Sequence, residues 1–86
     1  MERPSRSRIV ACIGDALDSM GVLDGAPVEE ALGLFGRGIG LDSIEALRIV
    51  TALEERFGLT IEDESLDPIH FRTVGTLAGF IEEQLG

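Results

Sequence analysis

Apolar residues recur every three or four positions in three stretches of this chain, a spacing typical of amphipathic helices. They predict helices over about residues 7–20, 43–57 and 73–85, with a shorter helix over 67–71. The inward-facing residues predicted for the three longer helices are Ile9, Ile13, Ala16, Leu17 and Met20, then Ile44, Leu47, Val50, Leu53 and Phe57 with Ile49 beside them, then Val74, Leu77, Ala78, Ile81 and Leu85. No stretch is convincing as a strand. The expected fold is therefore all-α, a small four-helix bundle of three longer helices and one short one.

Capping residues stand at the ends of these stretches. Residues that accept hydrogen bonds from a first helical turn are Ser5 or Ser7, Asp42, Asp67 and Thr73. Pro68 suits the first position of the short helix. Gly21 and Gly58 suit the position just after a helix end. Residues 1–6 are polar, contain a proline, and are expected to fray.

The segment between the first two helices, residues 22–41, is irregular and rich in glycine. A structureless loop of this length is unusual in a small domain. Its apolar residues indicate that it packs over the core: Val22, Leu23, Val28, Leu32, Leu34 and Phe35. Residues 27–32 have the composition of a short helical turn.

Ser43 lies where this loop meets the second helix. Gly38 and Gly40 permit backbone angles and close approaches that other residues do not. Asp42 and Glu45, three residues apart, form a variant of the capping box. A phosphate joined to Ser43 would lie beside unpaired N–H groups at the positive end of the helix dipole. The alternative is that Ser43 is only a second capping serine.

Length and charge bound the function. The chain of 86 residues is expected to form one domain, residues 1–86, with a formal net charge of −9. That charge argues against a nucleic-acid backbone and an anionic membrane surface, and favours basic patches on protein partners. No apolar run approaches the ~18 residues that span a bilayer. The N-terminus is not a signal peptide, so a cytoplasmic location is expected. We also expect the chain to be a monomer.

The sequence offers little equipment for catalysis or metal binding. Cys12 is alone and is predicted to be a buried, inert thiol. His70 has no second histidine to share a metal and no evident catalytic partner, so a structural role is favoured. The acidic run 62–64 lacks the ligand spacing of a calcium loop, and residues 36–41 match neither a dinucleotide nor a P-loop motif. We expect no catalytic residue, no metal site and no enzyme activity.

Three blocks, in order, resemble one known family. Asp42-Ser43-Ile44 after a glycine-rich loop is similar to the phosphopantetheine attachment site of acyl and peptidyl carrier proteins. Residues 53–61 resemble the end of that family's second helix and the following loop, and residues 71–77 resemble the entry to its last helix. The resemblance covers residues 36–85, and the N-terminal third fits the family's first helix and long loop.

This resemblance implies a role for particular residues. Ser43 would carry 4′-phosphopantetheine, transferred from coenzyme A by a phosphopantetheinyl transferase, and Asp42 would position the helix start. The arm would hold intermediates as thioesters for acyl-loading, condensing or tailoring enzymes of fatty acid, polyketide or related secondary metabolite biosynthesis. The residues that the resemblance places on the partner-docking face are Leu41, Ile44, Glu45, Arg48 and Ile49, supported by Glu54, Glu55 and the acids of 62–64. Arg48 departs from the more uniformly acidic helix of fatty-acid carriers, which favours a dedicated pathway partner.

Two alternatives stay open at this point. The first alternative to an acyl carrier is an aminoacyl or peptidyl carrier of a nonribosomal pathway, which shares these features. The second is an unmodified acidic helical module that binds a basic partner. The sequence does not identify the cargo, and its first residue, Met1, favours a free-standing protein of the discrete type.

Overall fold

Three α-helices form at the stretches that the apolar spacing predicts. The computed structural model describes residues 4–86, apart from the side chain of Asp63. The helices are α1 (Arg6–Met20), α2 (Ser43–Phe57) and α3 (Val74–Leu85). Within the described residues no strand forms, so the all-α prediction is confirmed. The short third helix is corrected to a 3₁₀ turn, Pro68–Phe71, and a second 3₁₀ turn, Asp63–Ser65, precedes it.

The helix ends follow the capping chemistry of the sequence. Asp42 and Thr73 each accept a hydrogen bond from the amide three residues further on, and both helices begin with a complete capping box. Ser5 caps α1, which settles the choice between Ser5 and Ser7. Gly21 and Gly58 adopt left-handed conformations after α1 and α2, with φ of 71° and 64°.

The core is aliphatic and is shared by all three helices. Its fully buried large side chains are Ile9, Ile13, Leu17, Leu34, Ile49, Leu53, Val74, Leu77 and Ile81. Cys12 is buried, as predicted. Phe80, which the pattern left unassigned, is also buried.

The predicted inward stripe of α2 is wrong at its start. Ile44 and Leu47 are 65% and 54% exposed, whereas Ala46 and Ile49 are buried together with Leu53. Ile44 and Leu53 are nine residues apart, which is about 180° around a helix of 3.6 residues per turn. They therefore lie on opposite sides of α2, and only the side of Leu53 meets the core.

The long first loop packs over the core and pairs with the start of α3. The backbones of residues 30–34 and 72–75 run antiparallel, and we call them the loop–helix ribbon. The amides of Val74 and Gly75 donate to the carbonyls of Leu32 and Glu30, both at 2.9 Å. The amide of Leu34 donates to the carbonyl of Arg72 at 3.1 Å. The predicted helical turn over 27–32 does not form, and a single turn closed by Leu32 and Glu29 takes its place.

The N-terminus of α1 is tied to this ribbon. Arg6, assigned to a frayed segment from the sequence, lies in α1 and its guanidinium donates to Glu30, Glu82 and the carbonyl of Gly75. The rest of the fraying prediction falls partly on residues 1–3, which lie outside the described residues. Gly75 permits a close approach, because a Cβ there would meet Cβ of Glu30 at 3.0 Å.

Candidate functional site

The start of α2 is built around Asp42. Its carboxylate accepts from the amide of Glu45 at 2.7 Å, and the carboxylate of Glu45 accepts from the amide of Asp42 at 3.1 Å. Asp42 has an extended backbone, with φ −93° and ψ 177°, so the chain turns into the helix at Ser43. Ser43 is thereby fixed as the first helical residue and is exposed.

Two backbone amides beside Ser43 are open. Asp42 occupies the amides of Glu45 and Ala46, the latter through its carbonyl oxygen at 3.0 Å. The amides of Ser43 and Ile44 precede the first intrahelical bond, and neither has an acceptor within the described residues. An anion joined to Ser43 would therefore meet two donors and the positive end of the helix dipole.

The loop in front of Ser43 depends on two glycines in different ways. Gly40 has a left-handed backbone, with φ of 69°. A Cβ on Gly38 would lie 2.0 Å from the carbonyl oxygen of Gly33, so only glycine fits there. The amides of Ile39 and Leu41 donate to Gly33 and Leu34, at 2.9 and 2.8 Å. The close approach anticipated from the sequence is the means by which this loop closes.

An apolar groove of about 250 Å³ begins at Ser43. It runs between α2 and the 3₁₀ turn Pro68–Phe71. Its walls are Phe35, Ala46, Leu47, Leu66, Pro68 and Phe71, with Asp67 at the edge. The rings of Phe35 and Phe71 lie 6.1 Å apart at a tilt of 55°. Ser43 therefore has an apolar surface on one side and open water on the other.

The residues predicted to dock partners divide into two groups. Ile44 and Arg48 are exposed and Glu45 is half-buried, so these three can be reached from outside. Leu41 and Ile49 are 5% and 0% exposed. Those two side chains pack in the core and do not present a surface to a partner, which corrects the expectation for them.

The supporting acids also divide. Glu55 is exposed, but a carboxylate oxygen of Glu54 accepts from the amide of Ile61 at 2.8 Å. Glu54 therefore holds the loop after α2 in place. Of the 62–64 run, Glu62 and Glu64 are exposed, and the side chain of Asp63 is outside the described residues.

Of the remaining candidate residues, His70 packs against another aromatic ring. His70 stacks on Phe80, with ring centroids 4.2 Å apart and an interplanar angle of 21°. In the described part of the chain, no group of histidine, cysteine, aspartate or glutamate side chains is arranged to hold a metal ion. None of its helices has the length and apolar character needed to cross a bilayer.

Sequence reasoning missed the groove beside Ser43. Leu47 was assigned to the core, but its position one helical turn after Ser43 places it on the same side of α2. That spacing was the available signal. The facing wall, from Leu66 to Phe71, had no such signal. These residues lie far from Ser43 in the sequence, and their distance from it in space depends on how the intervening loop folds.

Comparison with known proteins places the chain in a family. The family model described as "Phosphopantetheine attachment site" matches residues 7–81. Acyl carrier protein of Phenylobacterium zucineum is 40% identical over 48 residues, which are 56% of this chain and 58% of the relative. Acyl carrier protein of Exiguobacterium sibiricum is 38% identical over 47 residues, 55% of this chain and 57% of the relative.

The matched region thus spans little more than half the length of each curated relative. No solved structure matches the chain significantly. The family match, by contrast, extends from α1 into α3 and includes the exposed serine, the open amides and the groove, all of which fit a phosphate-linked arm. The chain therefore belongs to the phosphopantetheine attachment-site family, whose cofactor is covalently attached 4′-phosphopantetheine.

Proposed function

We propose that Ser43 is the residue that carries 4′-phosphopantetheine and that the chain acts as an acyl carrier protein. The observation that carries this proposal is an exposed hydroxyl at the first position of α2, beside two open amides. When attached, the arm supplies a thiol that holds a carboxylic intermediate as a thioester. The chain itself contributes the attachment point, the helix start that receives the phosphate, and a surface for partner enzymes.

Asp42 has two tasks in this proposal. It occupies the amides of Glu45 and Ala46, and so leaves the two amides nearest to Ser43 for the phosphate. It also orients the first turn, so that the hydroxyl of Ser43 faces outward. The carboxylate is committed to a hydrogen bond within the capping box, and we assign it positioning and no proton transfer.

The groove favours an acyl cargo over an aminoacyl cargo. Its lining is apolar apart from Ser43 and Asp67, and it begins at the residue that bears the arm. The apolar part of an acyl chain that folds back along the arm would lose contact with water there. An aminoacyl group carries an ammonium, and the only carboxylate that this lining offers it is that of Asp67, at the edge. Pathways that build acyl chains, such as fatty acid or polyketide synthesis, therefore fit the site best.

Partner docking is assigned to the exposed side of α2. Ile44, Leu47 and Arg48 present apolar contacts beside one positive charge. The net charge of −9 steers the chain toward partners with basic surfaces. Those partners are a phosphopantetheinyl transferase and the loading, condensing or tailoring enzymes of the pathway. Family membership argues against the unmodified helical module.

The experiment is intact-mass measurement and peptide mapping after incubation with coenzyme A and a broad-specificity phosphopantetheinyl transferase. We expect one phosphopantetheine on the peptide that contains Ser43, none on Ser43→Ala, and unchanged modification of Ser7→Ala, an exposed serine of α1. Repeating the reaction at rising salt tests the steering, since kcat/KM should fall. A modified Ser43→Ala chain would refute the assignment.

A further inference from the structure

Arg6 joins three parts of the molecule that are distant in sequence. Its Nε and one terminal nitrogen donate to the same carboxylate oxygen of Glu30, at 2.9 and 2.7 Å. That terminal nitrogen also donates to the carbonyl of Gly75 at 2.8 Å, and the other donates to Glu82. The hydrogen bonds with Glu30 and Glu82 raise the pKa of Arg6. The guanidinium thus fastens the first loop to α3.

A path made of hydrogen bonds and short backbone segments leads from this contact to the serine. The carbonyl of Glu30 accepts from Gly75 at 2.9 Å, at one end of the loop–helix ribbon. At the other end, the carbonyl of Leu34 accepts from the amide of Leu41 at 2.8 Å. Leu41 directly precedes Asp42, which caps α2 and fixes Ser43.

From this arrangement we propose that Arg6 is a positioning residue for Ser43, acting through Glu30, the loop–helix ribbon and Leu41. The inference rests on the proposed function, because it concerns the reaction at Ser43. When Arg6 is replaced, the carboxylate of Glu30 loses its link to α3, and residue 30 keeps only the backbone bond from the amide of Gly75. As a result, the ribbon opens more often, and Leu41 no longer keeps the turn before Asp42 closed. The transferase then meets a smaller fraction of chains with the serine in place.

Isolated ion pairs on a protein surface contribute little, and Arg6 is 40% exposed. This contact differs because one planar guanidinium serves two carboxylates and a backbone carbonyl together. A lysine keeps the charge, but a single ammonium does not reproduce the fork whose separate nitrogens reach Glu30 and Glu82. Arg6→Lys should therefore restore only part of what Arg6→Gln loses.

The first measurement is amide hydrogen exchange on the full chain, which is independent of modification. In Arg6→Gln, we expect faster exchange at Leu34 and Leu41 and unchanged exchange at Leu53 in the core of α2. Arg8→Gln is the matched control, because it removes the same charge from an exposed position of α1. Equal exchange at Leu41 in Arg6→Gln and Arg8→Gln would overturn the proposal.

The second measurement is the kinetics of phosphopantetheine transfer with coenzyme A and a broad-specificity transferase. If only the fraction of chains with Ser43 in place falls, KM for the carrier should rise about threefold to tenfold while kcat is unchanged. Arg6→Lys should lie between wild type and Arg6→Gln, and Arg8→Gln should match wild type. Faster exchange at Leu41 with an unchanged KM would mean that Arg6 orders the loop without positioning the serine, and would refute the proposal.

A double-mutant cycle tests the route. Glu30→Gln and Arg6→Gln remove the two sides of one contact, so their effects on KM should not add. Glu83→Gln, an exposed acid of α3, serves as the control for Glu30→Gln. Additive effects of Arg6→Gln and Glu30→Gln would exclude this route. A wild-type chain that is not modified at all would refute the proposed function itself, whereas a modified wild type with unchanged variants would refute only the role of Arg6.

Discussion

The starts of α2 and α3 use the same local chemistry in opposite surroundings. Each has a capping residue that accepts from the third amide of the helix, Asp42 for α2 and Thr73 for α3, and each has a reciprocal bond from that third residue. At α3 the first two amides, of Val74 and Gly75, are taken by loop carbonyls. At α2 the equivalent amides, of Ser43 and Ile44, have no acceptor among the residues that the structure describes.

The side chains differ in the same sense. Val74, the first residue of α3, is 0% exposed, whereas Ile44, near the start of α2, is 65% exposed. A capping box therefore does not by itself mark a site. The start of α2 differs from that of α3 in that, among the described residues, its first amides and its first side chains are left uncovered.

The largest expected effect comes from disrupting the loop that precedes Ser43. In Gly38→Ala, the new Cβ would lie 2.0 Å from a backbone oxygen that cannot turn away. We expect the free energy of unfolding to fall by about 3 kcal/mol, measured by urea denaturation. Gly36→Ala is the control, since its position is left-handed but has nothing within 4 Å, and it should cost only about 1 kcal/mol. Equal losses would show that the close approach at Gly33 does not constrain the loop.

Truncating one apolar residue at each helix start tests the burial contrast. Val74→Ala removes buried methyl groups and should lower the free energy of unfolding by about 2 kcal/mol. Ile44→Ala removes more atoms from an exposed position and should change it by less than about 0.5 kcal/mol. Thermal or urea unfolding of both variants gives the comparison. A larger loss for Ile44→Ala would contradict the orientation of α2.

Removing each cap separates stability from function. Asp42→Ala and Thr73→Ala each lose one side-chain acceptor, so each should cost about 1 kcal/mol. Only Asp42→Ala should slow phosphopantetheine transfer to Ser43, because Asp42 orients that first turn. The rates are compared under conditions in which both variants are fully folded. A similar slowing in Thr73→Ala would mean that general loosening, and not the start of α2, controls the reaction.

Much of this molecule is predictable from local patterns. Helix bounds, the caps at Asp42 and Thr73, and the exposed serine follow from interactions within four or five residues along the chain. The predicted inward stripe of α2 is right at Val50 and Leu53 but wrong at its start, because Ile44 and Leu47 fit a helical spacing as well as Ala46 and Ile49 do. Spacing identifies a stripe, and only packing decides which of two overlapping stripes faces the core.

Contacts between segments that are distant in the sequence could not be predicted from local patterns. Nothing local indicates that Arg6 reaches Glu30 and Glu82, since the three belong to different parts of the chain. The groove likewise depends on how the loop after α2 brings Leu66 and Phe71 beside Ser43. The close approach of the first loop to Gly75 is a further contact of this kind, because Glu30 and Gly75 are far apart in the sequence.

The loop–helix ribbon also has a consequence for the order in which the protein is made. Ser43 leaves the ribosome well before residues 72–75, yet the loop that precedes it pairs with those residues. Closing a contact between segments so far apart costs entropy that local helix formation does not. Ser43 is therefore translated early, but its surroundings are completed late. A nascent chain without α3 displays this serine before the frame that holds it has formed.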